Sequence, residues 1–382
     1  MKTTRRGFVG TIAVGAAAGV LSGTTFMSKG ASAQTREALK TGIHDGGIMQ
    51  LSSNESARGP GPKTMEALHS HITKRVGMGY APDHVNELRD GIANYYNLTT
   101  ANVQLATGST PLLQGSVRAF CSADKKFVTP MPTYSTSLNT ARQINAATVE
   151  LPLDSSMGVN LRDLADHADG AGLLYLCNPN NPTGTVHSPQ AVEDFVRRVM
   201  RENPNTMIHI DEAYINYAKA GAMETAVPLA MEFENVFITR SFSKAHGLAG
   251  LRIGYALGQE QTLGKIRNAW GMGDVNMLGA VAALTALEDK EHLAWEAQEN
   301  GEIRDMVVGA FREMGFEVGD SHTNHIFVNL RRPAREFREA CLQHKILVGR
   351  DFPPMEKTHC RISLGSREQM ETAVEVFRKV LA

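Results

Sequence analysis

Along the chain, short apolar runs end repeatedly in polar or glycine-bearing segments. Val103-Gln104-Leu105 leads into Thr107-Gly108-Ser109-Thr110, and Phe127-Val128 into Pro130-Met131-Pro132-Thr133-Tyr134. Leu173–Cys177 leads into Asn178-Pro179-Asn180-Asn181-Pro182-Thr183-Gly184. Met207–Ile210 runs into Asp211-Glu212-Ala213-Tyr214, and Val236–Ile238 into Ser241-Phe242-Ser243-Lys244. Runs this short predict strands, and the three-to-four spacing of apolar residues between them, as in Ala191–Arg201, predicts helices. Their alternation predicts an α/β fold, a mostly parallel sheet covered by helices, with ligands gathered beyond the carboxyl ends of the strands. After about residue 265 long helical stretches take over, followed by short strands near Ile326–Leu330 and Arg361–Leu364. That change predicts a second, smaller α+β domain.

Composition alters this picture mainly at the amino terminus. The 382 residues carry 39 Lys+Arg against 40 Asp+Glu, so no basic excess is available to release counterions from nucleic acid. The four cysteines are scattered, without a CxxC pair, which excludes a disulfide scaffold and gives no metal site. The first 33 residues, however, hold Lys2, Arg5, Arg6 and Lys29 and no acidic residue. A charged start, an apolar small-residue run from Phe8 to Leu21 and Ala31-Ser32-Ala33 form the layout of a secretory signal, cleaved before Gln34. The run is shorter than the roughly 20 residues needed to span a bilayer, so no stable membrane span is expected. Thr4-Arg5-Arg6-Gly7-Phe8-Val9 resembles the twin-arginine export motif, which predicts that the export machinery delivers a folded protein to the periplasm.

The strand ends hold a chemical constellation. Lys244, at a strand end and flanked by small and hydroxyl residues, can form a Schiff base if its surroundings lower its pKa. Ser241, Ser243 and Arg252 share its segment and suit a phosphate dianion. Asp211 ends an apolar strand, where a buried carboxylate needs a partner. A protonated pyridine nitrogen would serve, with Tyr214 and Asn181 bonding a phenolic oxygen on the same ring, unless Asp211 merely caps a helix. Gly108-Ser109-Thr110 opens a helix over Leu112–Phe120 and would favour an anion, or simple N-capping. Tyr134 could stack on a flat ring or pack in the core.

Taken together, Asn178–Gly184, Asp211–Tyr214 and Ser241–Arg252 resemble class I/II aminotransferases, most closely the histidinol-phosphate aminotransferase branch. The likeness runs from about Leu51 to the carboxyl terminus. It implies the type I fold of pyridoxal 5'-phosphate (PLP) enzymes, usually a homodimer. The implied division is a signal at 1–33, an N-terminal arm at 34–75, a large PLP-binding domain at 76–265 and a small C-terminal domain at 266–382. Lys244 then matches the Schiff-base lysine and proton carrier, Asp211 the partner of the pyridine nitrogen, and Tyr214 and Asn181 the groups on the ring hydroxyl. Ser109, Thr110, Ser241, Ser243 and Arg252 match the phosphate site, and Tyr134 the stacking aromatic. Tyr80 matches a tyrosine reaching across from a partner subunit, and Arg361 the arginine that clamps a substrate carboxylate.

The implied activity is ping-pong transfer of an amino group between an amino acid and a 2-oxo acid. A PLP-dependent decarboxylase or racemase and a catalytically idle exported binding protein are the rivals. Arg361 on the carboxylate favours proton abstraction over loss of CO₂, and the full Lys244, Asp211, Asn181 and Tyr214 set disfavours an idle binder. Arg58, in Asn54-Glu55-Ser56-Ala57-Arg58-Gly59-Pro60, stands where the family often has an aromatic, and is expected either to favour an acidic or phosphorylated side chain of the substrate or to face solvent. His246 replaces another usual aromatic. These departures and the export signal argue against histidinol phosphate as the first choice of substrate.

Overall fold

The computed structural model describes residues 43–44, 47–78 and 82–382, so the expected export signal and Tyr80 lie outside the described residues. Two units are distinguished. In residues 1–49, an antiparallel ladder pairs Ile43 with Met49 and His44 with Ile48. Residues 50–382 form the second unit, which carries the features below.

Its main sheet has seven strands: β1 (Val103–Ala106), β2 (Lys126–Met131), β3 (Thr148–Pro152), β4 (Ala171–Cys177), β5 (Met207–Asp211), β6 (Val236–Ser241) and β7 (Gly254–Gly258). Their spatial order is β1-β7-β6-β5-β4-β2-β3. Neighbours run parallel except on the two sides of β7, which is antiparallel to both β1 and β6. Every residue of β4 and β5 is buried, which explains why those runs read as continuous apolar stretches rather than alternating ones. The sequence pattern did not single out β7. The twelve residues between it and β6 contain no helix beyond a 3₁₀ turn at Ala249–Leu251, and without a crossover helix the chain returns antiparallel.

Helices cover the sheet. Among the helices of this unit are α1 (Pro62–His71), α2 (Pro82–Tyr95), α3 (Thr110–Phe120), α4 (Pro189–Glu202), α5 (Met277–Glu288) and α6 (Lys290–Glu313), the last packed against the second sheet described below. In α4 the buried residues Val192, Phe195, Val196 and Val199 form one stripe, and the Ser188 hydroxyl caps its start by accepting from the Ala191 N–H at 3.3 Å. Alanine-rich α5 packs against α1 and α2, since its small side chains let three helices approach closely. Residues 317–363 build a second, antiparallel sheet, β8 (Glu317–Val318), β9 (His325–Asn329) and β10 (His359–Ser363), in the order β8-β9-β10. Two further helices, α7 (Ala334–Gln343) and α8 (Arg367–Leu381), complete the chain.

Candidate active site

Five of the six parallel strands deliver side chains to one place. Beyond the carboxyl ends of β1, β2 and β4 stand Ser109 and Thr110, Tyr134 and Asn181, while Asp211 and Ser241 close β5 and β6 themselves. Together with Tyr214, Ser243, Lys244 and Arg252 they line a cavity of about 200 Å³. All the cofactor residues expected from sequence, Tyr80 excepted, therefore converge. A wider groove of about 860 Å³ lies at the other ends of the strands, around Gly170–Gly172 and Asn203–Met207, and holds none of them.

Asp211 ends β5 and no helix starts there, so the N-cap alternative does not hold. Its Oδ2 accepts from the Tyr175 hydroxyl at 3.0 Å and its Oδ1 from the Thr239 hydroxyl at 3.1 Å. Register puts Asp211 opposite Cys177 on one side and Thr239 on the other. Thr239 Oγ1 lies 2.8 Å from His209 Nε2, so Thr239 donates to the carboxylate while accepting from the imidazole. Burial pushes the carboxyl up from 3.8 to about 6 despite these donors. Among the described residues no cationic side chain forms an ion pair with it. A carboxylate in that state suits a cationic ring nitrogen in the cavity.

Behind the ring-hydroxyl position, the Tyr214 oxygen accepts from Asn54 Nδ2 at 3.0 Å and Asn181 Nδ2 at 3.3 Å. With two amides donating to it, the phenol's own proton is free to point into the cavity. Asn54 Nδ2 also lies 2.9 Å from His325 Nδ1, whose ring meets Tyr214 edge-on at 5.1 Å.

Lys244 points its Nζ at the Ser53 carbonyl, 3.2 Å away, and over the Tyr214 ring at 5.6 Å. Burial, and then the charges of Arg361 and Arg252, bring its pKa down from 10.5 to about 8, against the opposing pull of Glu55 and Asp211. A usable fraction of the amine is thereby neutral at physiological pH, where an ordinary lysine has almost none, as a nucleophile or base requires.

The anion cradle is complete in residue type. Ser109 sits at the N-cap of α3 but makes no side-chain capping bond, which leaves its hydroxyl to the cavity. Arg252 adopts a left-handed conformation (φ 59°) and donates to the Ser243 hydroxyl at 3.3 Å. Gly108 (φ +80°) leaves room for it, since a Cβ there would lie 2.4 Å from the guanidinium. Helix N-terminus, hydroxyls and guanidinium together fit a phosphate dianion.

An adjoining chamber of about 760 Å³ shares Ser53, Tyr134, Asn181, Tyr214 and Lys244 and adds Arg361, Arg350, Arg338 and Asp351. Arg361 donates to Asn181 Oδ1 at 2.9 Å and to the Ser52 carbonyl, while its Nε finds no partner among the described residues. Burial lowers this guanidinium to about 10, the state of a cation lacking an anion. Arg338 is already paired with Asp351 at 2.8 Å.

Arg58 departs from both expectations. It lines neither chamber and does not face solvent. Its side chain is 11% exposed and paired with the fully buried Glu296 at 2.5 Å. His246 is buried against Phe242, with ring centroids 4.8 Å apart, and plays a packing role. The sequence reading missed Tyr175, Thr239, Asn54, His325 and Arg350. A signal existed for the first two: each is a polar residue set in an apolar strand, where an unpartnered hydroxyl is unfavourable.

Comparison with known proteins places this geometry. The family model for Aminotransferase class I and II matches residues 46–377. Histidinol-phosphate aminotransferase 1 of Bradyrhizobium diazoefficiens is 31% identical over 342 residues, 88% of this chain and 93% of that protein. Histidinol-phosphate aminotransferase of Bacillus subtilis is 29% identical, over 90% and 95%. The crystal structure of histidinol-phosphate aminotransferase from Sinorhizobium meliloti in complex with pyridoxal-5'-phosphate superimposes with a TM-score of 0.79 at 27% identity, covering 90% of this chain and 94% of that one. A putative histidinol-phosphate aminotransferase from Erwinia carotovora atroseptica, 24% identical, shares the fold with a TM-score of 0.82 over 87% and 96%.

Proposed function

The chain belongs to the class I and II aminotransferases, and from that premise we propose that its amino donors carry an anionic group seated on Arg361, with Lys244 moving the proton. The enzyme is a PLP-dependent transaminase of type I fold that passes an amino group between an amino acid and a 2-oxo acid. PLP, when bound, supplies an aldehyde that captures the donor amine and a pyridinium ring that draws off the electron pair left when the Cα–H bond breaks.

The chain's own residues supply the rest. Ser109, Thr110, Ser241, Ser243 and Arg252 would hold the cofactor phosphate, and Tyr134 would cover the ring. Asp211, kept as a hydrogen-bonded carboxylate by Tyr175 and Thr239, would hold the proton on the ring nitrogen. Tyr214 and Asn181 would bond the ring oxygen. Arg361 would fix the donor's anion and thereby orient its Cα–H bond, and Lys244 Nζ, its pKa lowered so that the neutral amine is accessible, would take that proton and return it to the cofactor carbon.

The observation that carries the donor assignment is the buried, incompletely partnered guanidinium of Arg361 in a chamber that opens beside Lys244 and also contains Arg350. A carboxylate or a phosphate satisfies it, and the relatives' names make histidinol phosphate one candidate. The test is a donor panel of amino acids, histidinol phosphate and uncharged amines, scored by release of the oxo product. Anion-bearing donors should react, and Arg361→Ala should lose them preferentially. Equal reaction with uncharged amines would remove the assignment, CO₂ release would mark a decarboxylase, and an inert protein an idle binder. The same reading includes export: a twin-arginine signal at residues 1–33, a periplasmic enzyme and a homodimer completed by the partner's Tyr80. Mass spectrometry of the exported protein should then find an amino terminus near Gln34, and a full-length cytoplasmic product would contradict it.

A further inference from the structure

Glu296, on α6, lies outside both chambers, and its side chain is fully buried. Its carboxylate accepts from Ser56 Oγ at 3.0 Å, Arg58 Nε at 2.5 Å, Arg58 Nη2 at 2.8 Å and the Tyr217 hydroxyl at 3.0 Å. A buried carboxylate so fully supplied with donors is a fixed node. What it joins is informative. Ser56 and Arg58 belong to the segment that follows Ser52, Ser53 and Asn54, whose carbonyls and amide engage Arg361, Lys244 and Tyr214. Tyr217 ends the short turn Ile215–Tyr217 for which Tyr214 is the N-cap. The two segments therefore meet twice, once inside the site through Asn54 and Tyr214, and once outside it through Glu296.

Upstream of Ser56 the segment has hydrogen bonds of its own. Asn54 stands in a left-handed conformation (φ 56°) and is held by Ser363, its N–H donating to that hydroxyl at 2.9 Å and its Oδ1 accepting at 2.6 Å. Asn324 Nδ2 donates to its carbonyl at 2.9 Å. Beyond that bend, Glu296 supplies the main hold on Ser56 and Arg58, with a long contact of 3.5 Å from Arg58 to the Gly365 carbonyl.

We propose that Glu296 is a positioning residue for transamination: through Ser56, Arg58 and Tyr217 it straps the 54–58 segment to the Tyr214 turn, and so keeps the Asn54 amide on the Tyr214 hydroxyl and the Ser53 carbonyl on Lys244. The strap rests on the reading of this cavity as the transamination site. It gives Arg58 its role. The residue acts one step behind the chemistry and touches neither cofactor nor donor.

The test uses the PLP-loaded enzyme and two variants. The double variant Arg58→Met with Glu296→Gln removes both charges, so neither is left buried alone, and Arg58→Lys keeps the cation. Three quantities are read: hydrogen exchange of residues 54–58 without donor, the rate constant of the first half-reaction with a reactive donor, and cofactor affinity. In the double variant exchange should rise in 54–58, and the half-reaction should slow by about tenfold, the scale of a small misplacement relayed to reacting groups. Cofactor affinity should fall by much less than the rate, because the phosphate and nitrogen partners lie elsewhere. Arg58→Lys should restore most of the protection and rate. Unchanged exchange and rate in the double variant would overturn the proposal, as would loss of cofactor affinity and melting temperature in step with rate. An inert wild-type enzyme would instead sink the transaminase reading, while the exchange measurement would still judge the strap.

Discussion

Replacing Asp211 with Asn should stabilise the PLP-free protein while disabling the loaded enzyme, and the gain should depend on pH in a defined way. Burial lifts this carboxyl from 3.8 to about 6, with the hydroxyls of Tyr175 and Thr239 holding it from rising further. A group whose folded pKa is raised contributes stability fully below its unfolded value and loses it as pH climbs through the folded value. Above pH 6 the fold therefore carries a strained carboxylate. The gap of about two pH units, at 1.36 kcal/mol each, puts that strain at about 3 kcal/mol. Asn keeps the shape, accepts from Thr239 and offers an N–H to the Tyr175 oxygen, though imperfectly, so a net gain of about 1–3 kcal/mol is expected at pH 8. The gain should fade towards pH 4, where the folded carboxyl is protonated and the unfolded one, with its ordinary value of 3.8, is only partly ionised. Thermal unfolding of both PLP-free proteins between pH 4 and pH 8 reads this directly, at about 2 °C per kcal/mol. A variant less stable at pH 8, or a difference that does not change with pH, would refute the account of a carboxylate held ready for a cation.

Two other outcomes can be measured on the cofactor-free protein. Capture of PLP needs the neutral amine of Lys244, so its rate should rise with pH around a midpoint near 8, and a midpoint near the ordinary lysine value in stopped-flow traces would contradict the lowered pKa. Gly108→Ala would place a Cβ 2.4 Å from the Arg252 guanidinium at a φ of +80°, and should weaken PLP binding by about tenfold or more in a direct titration. Gly250→Ala, with open space around it and no positive φ, should leave that titration unchanged.

The sequence disclosed the parts of the site that touch a ligand. Lys244, Asp211, Asn181 and Arg252 follow strand ends in polar segments, where nothing in a core explains them, and the parallel order of the strands brings those segments to one rim. The antiparallel β7 was less legible, because a five-residue run bounded by glycines carries no sign of direction until the shortness of its connection to β6 is weighed. Arg58 was misread for a related reason. A cation near an active-site segment gives no hint of whether a carboxylate more than 200 residues away will claim it, and although Glu296 falls on the buried stripe of its helix with Asn300, Ile303 and Val307, nothing in that helix names its partner.

Tyr175 and Thr239 show why such support escapes a reading by pattern. Tyr175 lies between the fully buried Leu174 and Leu176, and Thr239 follows the fully buried run Val236–Ile238, so periodicity assigns both to the core, and both are in the core. Their function lies in the register: Thr239 falls opposite Asp211, and Tyr175 two residues short of Cys177, the residue on Asp211's other side. Register follows from pairing between strands distant in sequence, with some thirty residues of helix and loop intervening. A carboxylate can thus be identified from its own segment, whereas the donors that keep it ionised become visible only once the sheet is assembled. The same holds for Glu296, whose four hydrogen bonds join pieces of chain near residues 56, 217 and 296. Positioning in this enzyme is a property of the fold's long-range pairings, and reactivity a property of its local segments.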